Sequence, residues 1–333
     1  MNTLRFLRLG LLLGFLVVVG RAADAPHKVA TYETEWRDPA RDNRVVPVKI
    51  YYPADLTTPC PVIIFSHGLG GSREGYVYLG EAWAAHGYIS VHVQHAGSDT
   101  DALRGLRPPE NFRKAATDPA NATNRPLDIR FAIDRLTGLN HDDAFPLHDR
   151  LDLDRLGVAG HSYGAFTTMA VVGARIPPPG DKPRYLDPRI KAAIAMSTPA
   201  TAGTDTDAVF DAVRIPVFHM TGTEDGAPGE FKAPMVDAIV GNTSPAQRRR
   251  PYDHTRHAPA YLLTFKGGDH MVFSGRLTKK RPTDAPFQTL VCSGSLAFWD
   301  ATLKGDAKAK QWLEGGGFTQ ALGALGTFEQ KHP

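Results

Sequence analysis

The 333-residue sequence is poor in cysteine, lacks a large excess of charge of either sign and contains no long apolar run. Two cysteines are too few for a scaffold held together by several disulfides. No apolar stretch reaches the ~20 residues that a membrane-spanning helix needs. The apolar fraction of 42% with 22% charged residues is typical of a globular chain. This composition excludes the disordered, collagen-like and coiled-coil classes.

The first 22 residues have a different character from the rest. They contain three arginines and no acidic residue, and residues 9–20 form an uncharged apolar run. A basic start, an apolar run too short to cross a bilayer and small residues after it are typical of a signal peptide. We expect cleavage after Ala22 and a secreted or periplasmic protein; the alternative is a retained N-terminal anchor.

Cleavage also changes the charge balance. Removing the three arginines lowers the number of basic residues from 38 to 35, equal to the 35 acidic residues. A neutral mature chain has no basic surplus for nucleic acid, so we expect no such partner. We also expect no stable insertion in a membrane once the signal peptide is removed.

Short apolar runs alternate with helical patterns along the mature chain. Seven runs predict strands, at residues 45–52, 62–66, 88–93, 155–159, 190–196, 216–221 and 260–265. Four segments predict helices, at residues 72–86, 126–139, 162–174 and 287–303. The alternation predicts one α/β domain over residues 23–333, with a mostly parallel sheet covered on both faces. Size alone also permits a TIM barrel, and the motifs below decide against it.

Two stretches, residues 100–125 and 227–259, are rich in proline and polar residues and predict irregular structure. Such long loops are lids, pocket walls or surface insertions without a role. We expect the arginine run at residues 248–250 to be solvated. Cys60 and Cys292 either form one disulfide or remain free thiols, and the sequence favours neither alternative.

The strongest chemical signal is the motif GHSYG at residues 160–164, which follows a predicted strand and begins a predicted helix. This is the context of a G-x-S-x-G nucleophile elbow. A sharp turn holds the serine in a strained backbone conformation, and glycine two residues away on either side avoids collisions. Ser162 is therefore the candidate nucleophile.

A serine hydroxyl needs a base, and the base needs an acid that orients it. In enzymes with a nucleophile elbow of this kind, the serine comes first along the chain, the acid second and the histidine third. Asp225 and His270 each follow a predicted strand, in the right order, at the edge where open α/β sheets bind ligands. Glu224 is the alternative acid, and Asp269 is expected to point away from the site.

Acyl transfer also needs hydrogen-bond donors for the negatively charged oxygen of the tetrahedral intermediate. One is predicted to be the backbone N–H of Tyr163, and the other that of Leu69 in the loop after the strand at residues 62–66. We interpret His67 and His161 as structural. A candidate pocket rim consists of His95, Ser98 and Asp99. A metal site built from His92, His95 and Asp99 is the less favoured interpretation.

These motifs resemble those of the α/β-hydrolase superfamily, in which the elbow, the loop after the central strand, Asp225 and His270 match the catalytic motifs. Three stretches are similar to the platelet-activating-factor acetylhydrolase-like and dienelactone-hydrolase-like group. They are FSHGLGG at residues 65–71, AHGYI at residues 85–89 and RPLDI at residues 125–129. The resemblance implies an α/β-hydrolase fold with a mostly parallel eight-stranded sheet.

Carried over residue by residue, the resemblance implies Ser162 as nucleophile, Asp225 as acid and His270 as base, with Leu69 and Tyr163 as oxyanion donors. Two departures limit the substrate. True dienelactone hydrolases have a cysteine nucleophile, whereas this elbow has serine. Exported polyester hydrolases usually carry a tryptophan where this chain reads AMSTP at residues 195–199.

The sequence therefore predicts an exported serine esterase that acts on short-chain acyl esters of small molecules or lipids. The implied mechanism needs no cofactor and no metal. The alternatives are a lipase, phospholipase or acetylhydrolase, a polyester hydrolase, a peptidase and a binding protein without catalysis.

Overall fold

The computed structural model describes residues 26–104, 108–176, 183–199, 206–226, 244–275 and 280–333. The predicted signal peptide lies outside the described residues, so export stays a prediction. The strands within these ranges form one sheet. They are β1 Val29–Asp38, β2 Arg44–Pro53, β3 Cys60–Ser66, β4 Ile89–Val93, β5 Leu151–His161, β6 Ile190–Met196, β7 Val217–Glu224, β8 Ala260–Asp269 and β9 Gly326–Lys331.

The strand order across the sheet is β1-β2-β4-β3-β5-β6-β7-β8-β9. The six strands from β4 to β8 are all parallel to one another. At one edge β1 pairs with β2 and β2 with β4 in antiparallel orientation, and at the other edge β9 pairs antiparallel with β8. A mostly parallel sheet of this kind, covered by helices, confirms the predicted α/β-hydrolase fold class.

The described sheet has nine strands, one more than the eight predicted. The two strands without a sequence signal, β1 and β9, lie at the two edges of the sheet. β1 is mostly exposed or half-buried, β9 is so throughout, and both carry threonine and glutamate. Edge strands pair on one side only and keep polar residues, so their apolar pattern is weak.

The described helices flank the sheet. They are at most 20 residues long, except for Pro119–Leu139, which has 21. In the described ranges they are α1 Val77–Ala85, α2 Thr100–Leu103, α3 Pro108–Thr117, α4 Pro119–Leu139, α5 Tyr163–Val171, α6 Thr206–Phe210, α7 Pro245–Arg248, α8 Arg250–His254, α9 Asp284–Leu303, α10 Ala307–Glu314 and α11 Gly317–Leu322. Among the described residues, no helix combines the length and apolar character needed to span a membrane.

Each face of the sheet has its own apolar core, as β3 shows. Ile64 belongs to the core that contains Ile133 of α4, whereas Ile63 belongs to the core that contains Trp299 of α9. Successive residues of a strand point to opposite faces, so a strand buried on both faces is apolar throughout. This accounts for the unbroken apolar run that predicted β3.

Residues 100–103, 108–117 and 119–125 are helical, so for these residues the prediction of irregular structure was wrong. They form α2, α3 and the first turns of α4. The prolines mark helix starts: α3 begins at Pro108, and α4 begins at Pro119 directly after Asp118, whose side chain accepts from the N–H of Ala120. Proline suits the first helical position because its missing N–H has no intrahelical partner there.

The second proline-rich stretch is described only in part, because residues 227–243 lie outside the described ranges. Residues 244–259 contain the short helices α7 and α8. Cys60 and Cys292 are both free thiols, which answers the question that the sequence left open.

Candidate active site

Ser162 lies at the turn between β5 and α5, and its φ of +56° is rare for a residue with a side chain. The two glycines of the motif make this turn possible. A β-carbon on Gly160 would lie 2.3 Å from the carbonyl oxygen of Gly164. A β-carbon on Gly164 would lie 1.9 Å from the carbonyl oxygen of Ser66 at the end of β3. The serine is therefore held at the carboxyl edge of the sheet, with the end of β3 against it.

The structure brings Ser162, His270 and Asp225 into one hydrogen-bonded chain. His270 Nε2 is 2.9 Å from Ser162 Oγ, and His270 Nδ1 is 2.8 Å from Asp225 Oδ1. The three residues follow or end β5, β8 and β7, whose parallel carboxyl ends meet at one edge of the sheet. With Nδ1–H donating to the carboxylate, Nε2 is free to accept the serine proton.

Asp225 is fully buried and has further partners. Its Oδ2 accepts hydrogen bonds from Ser197 Oγ at 2.6 Å and Thr221 Oγ1 at 2.8 Å. Arg248 Nε lies 3.4 Å from its Oδ1. Burial raises the pKa of the Asp225 carboxyl, but the Arg248 charge and the hydrogen bonds from His270 and Ser197 outweigh burial and hold the pKa well below its usual range. The carboxylate is thus ionised.

The burial of Arg248 corrects the prediction that the arginine run is solvated. Its side chain is only 3% exposed, whereas that of the neighbouring Arg249 is 39% exposed and pairs with Asp253 and Glu329 at the surface. Burial lowers the pKa of the Arg248 guanidinium and the nearby carboxylate opposes this effect.

The structure distinguishes between the two candidate acids, Asp225 and Glu224. Glu224 is the last residue of β7, and its side chain is 58% exposed and pairs with Arg281 at 3.2 Å. Asp269 also meets Arg281, at 3.1 Å. Asp225 is thus the carboxylate that reaches His270, and Asp269 points to the surface as expected.

The predicted oxyanion loop, residues 67–71, follows β3 and packs against the elbow. Tyr163 is the first residue of α5, where a backbone N–H has no acceptor within the helix. Leu69 lies in the turn of the loop. Hydrogen bonds to the segment after β4 hold this loop in place. Gly70 N donates to the Ser98 carbonyl, and Thr100 Oγ1 of α2 donates to the Gly70 carbonyl.

Two buried histidines brace this arrangement, as predicted for both. His67 Nδ1 donates to the carbonyl of Gly68 at 2.6 Å, and its Nε2 accepts from the N–H of His95 at 3.0 Å. His161 Nε2 donates to the carbonyl of His270 at 2.9 Å. His161 Nδ1 accepts from the hydroxyl of Tyr76 at 2.8 Å.

Tyr76 is a site residue that the sequence did not reveal. Its hydroxyl accepts from the N–H of Gly68 at 3.3 Å while donating to His161. Hydrogen bonds therefore run from the oxyanion loop through Tyr76 and His161 to the backbone of His270. Burial raises the pKa of the Tyr76 hydroxyl to about 12, so it stays protonated and can donate.

Arg125 is a second buried cation that the sequence did not assign to the site. Its guanidinium donates to the hydroxyls of Ser66, Ser98 and Thr167. It also donates to the carbonyl of His67 and lies 4.6 Å from the centroid of the Tyr163 ring. Burial lowers its pKa to about 10, which still leaves it charged at neutral pH.

The predicted pocket rim is buried rather than exposed. His95 and Ser98 are fully buried, and Asp99 is nearly so. His95 contacts Ser66 Oγ at 2.9 Å and Asp128 Oδ2 at 3.0 Å, so it belongs to the polar network beneath the loop. Within the part of the chain that the structure describes, no group of three or more histidine, cysteine or acidic side chains is arranged to hold a metal.

Comparison with known proteins gives a match to the same group that the sequence resembles. The family model described as platelet-activating factor acetylhydrolase, isoform II, matches residues 29–106, which contain the oxyanion loop. A platelet-activating factor acetylhydrolase of Canis lupus familiaris is 25% identical over 74% of this chain and 52% of its own length. That of Bos taurus is 28% identical over 33% of this chain and 31% of its own length.

The chain thus spans about half the length of the dog protein that it matches. The family match covers the first strands and the loop but not the elbow, Asp225 or His270. It confirms the resemblance to the platelet-activating-factor acetylhydrolase group, and the roles of the individual site residues remain to be proposed from the geometry.

Proposed function

We propose that this protein is a serine hydrolase that cleaves carboxylic esters. The observation that carries the proposal is the hydrogen-bonded chain from Ser162 Oγ through His270 to the buried Asp225 carboxylate. A serine, a base within reach of it and an acid that orients the base are the parts that acyl transfer requires.

In the proposed reaction, His270 Nε2 takes the proton of Ser162 as Oγ attacks the ester carbonyl. Asp225 accepts from Nδ1–H and stabilises the imidazolium that forms. The N–H groups of Leu69 and Tyr163 stabilise the negative charge on the carbonyl oxygen. The alcohol leaves with the proton from His270. Water, activated by the same histidine, then releases the acid and restores Ser162.

The substrate class we propose is an ester of a short acyl group, carried by a lipid or a smaller alcohol. The matched relatives are platelet-activating factor acetylhydrolases, which supports a short acyl group carried by a lipid. The packing of α2 on the oxyanion loop supports a role of this helix, which belongs to the predicted lid or pocket-wall segment of residues 100–125, as a wall of the acyl pocket.

We further propose that residues 1–22 are a signal peptide and that residues 23–333 form the exported single-domain enzyme. The basic start and the apolar run of the N-terminal segment support this proposal. N-terminal sequencing of protein recovered from outside the cytoplasm tests it: a chain beginning at Ala23 is expected, and a retained Met1 would contradict cleavage.

The function is tested with p-nitrophenyl esters from acetate to palmitate and with a serine-directed fluorophosphonate. We expect kcat/KM to peak between acetate and butyrate and the probe to label Ser162. Ser162→Ala should abolish labelling and lower kcat by about 10⁴–10⁶-fold, as nucleophile removal does in other serine enzymes. A peak at long chains above the micelle threshold would indicate a lipase. Equal, near-zero rates of both proteins on every ester, without labelling, would overturn the proposal.

A further inference from the structure

A buried cation stands beside the carboxylate that orients the proposed base. Arg248 Nε is 3.4 Å from Asp225 Oδ1, the same oxygen that contacts His270 Nδ1 at 2.8 Å. Arg248 Nη2 is 3.5 Å from His270 Nδ1. Arg248 Nη1 donates to the carbonyl of Ser197 at 2.9 Å, so the guanidinium is held in place.

We propose that Arg248 sets the pH range of the triad by offsetting part of the negative charge that Asp225 presents to His270. This inference rests on the proposed function. A carboxylate next to a histidine favours the imidazolium, so the neutral base is lost at a higher pH. A cation at a similar distance acts in the opposite direction. Because Arg248 and an imidazolium carry charges of the same sign, we expect the acid side of the activity profile to lie at lower pH with Arg248 than without it.

Among the residues that the structure describes, the other charged and titratable groups around His270 do not perform this task. His161 packs against His270 with ring centroids 4.8 Å apart, and burial lowers the pKa of His161 well below its ordinary value, so it is neutral. Asp269, the residue before His270, and Glu224, at the end of β7, both meet Arg281 at the surface. Arg248, by contrast, lies in the buried interior where solvent screens its charge least.

The arrangement also has a cost for the reaction. His270 becomes an imidazolium in the transition state, and the same cation opposes that charge. Removing the Arg248 charge should therefore shift the acid side of the pH profile without lowering the rate at alkaline pH. A residue that only supported the fold would lower the rate at every pH.

The test compares Arg248→Gln, which removes the charge, with Arg248→Lys, which keeps it. Arg249→Gln is the matched control, because Arg249 is the next residue in the run and pairs at the surface. Two quantities are measured in the full chain from about pH 4 to about pH 9, the span over which a histidine base titrates. They are kcat/KM for p-nitrophenyl acetate and the rate of inactivation by a fluorophosphonate.

For Arg248→Gln we expect the pH of half-maximal activity on the acid side to rise by about one unit or more, as for loss of a like charge close to a histidine. Arg248→Lys should shift less and Arg249→Gln not at all. An unchanged acid limb in Arg248→Gln, or equal shifts in Arg248→Gln and Arg248→Lys, would overturn the inference.

The fold of each variant is checked by its thermal unfolding. If Arg248→Gln does not fold, Arg248→Lys decides alone: a retained acid limb supports the inference, and a rise of about one unit refutes it. Failure of the proposed function would give a different result: the wild-type protein would not be labelled at Ser162 at any pH.

Discussion

Replacing Gly164 with alanine tests the close approach between the serine turn and the end of β3. A β-carbon at this position would lie 1.9 Å from the carbonyl oxygen of Ser66 and 2.8 Å from that of His67. Favourable contacts lie at about 3.5 Å, so the two backbones would have to separate by about 1.5 Å. Both oxygens belong to the backbone, so no side-chain rotation relieves the collision.

This separation should damage stability and activity together. Overpacking costs typically about 1–3 kcal/mol, and a collision between backbones belongs at the upper end. The same movement displaces the oxyanion loop relative to Ser162, and a misplacement of about 1 Å lowers rates by roughly 10²-fold. We therefore expect a loss of about 3 kcal/mol in the free energy of unfolding and at least about 10²-fold in kcat/KM.

Urea unfolding and hydrolysis of p-nitrophenyl acetate measure the two effects. The control is Gly138→Ala in α4, because no atom lies within 4 Å of the new β-carbon and the position is exposed. This variant should keep its activity and gain up to about 1 kcal/mol, as alanine favours a helix over glycine. Wild-type stability and activity in Gly164→Ala would refute the close approach of the two backbones.

Two further predictions concern buried polar groups. Tyr76→Phe leaves His161 Nδ1 buried without a partner, so we expect urea unfolding to show a loss of about 1–3 kcal/mol, with kcat falling more than KM rises. The control Tyr78→Phe removes a hydroxyl two residues further on, in α1, that donates to the Phe273 carbonyl instead; equal kcat losses in both variants would contradict the reasoning. Burial lowers the pKa of His219 to about 3, and neither ring nitrogen has a hydrogen-bond partner in the described part of the chain. The unfolded chain therefore binds the extra proton below about pH 6.5, and stability falls as pH decreases from there towards 3. His219→Leu should flatten this slope in urea titrations at successive pH values, and an unchanged slope would exclude His219 as its source.

Much of the fold follows from local patterns in the sequence. The strand predicted at residues 190–196 has the same bounds as β6, because all of its residues except Lys191 are apolar and buried. Ser162, Asp225 and His270 can be predicted to lie together because each directly follows a strand in a short, recognisable turn. Residues at the carboxyl ends of parallel strands converge, so linear order already indicates proximity.

The features that the sequence missed depend on contacts between distant parts of the chain. Arg248 meets Asp225 and His270 across 23 and 22 residues, and Tyr76 meets His161 across 85. An arginine within a polar, proline-rich run has no periodicity that distinguishes a buried side chain from a solvated one. The prolines at the starts of α3 and α4 led to a wrong prediction of irregular structure. A proline inside a helix breaks it, but a proline in the first turn is compatible with a helix, and the local sequence does not distinguish the two.

The two buried arginines, Arg125 and Arg248, contact different groups. This difference decides whether a substitution at each position changes the structure, the electrostatics or both. Arg125 donates to hydroxyls of β3, of the loop after β4 and of α5 and to a carbonyl of the loop after β3, so its loss would loosen several elements at once. Arg248 faces Asp225 and His270, and its further hydrogen bond goes to the Ser197 carbonyl. A change of charge at Arg125 would therefore combine structural and electrostatic effects. At Arg248 the charge acts on the proposed acid–base pair directly, so its effect can be read in the pH profile itself.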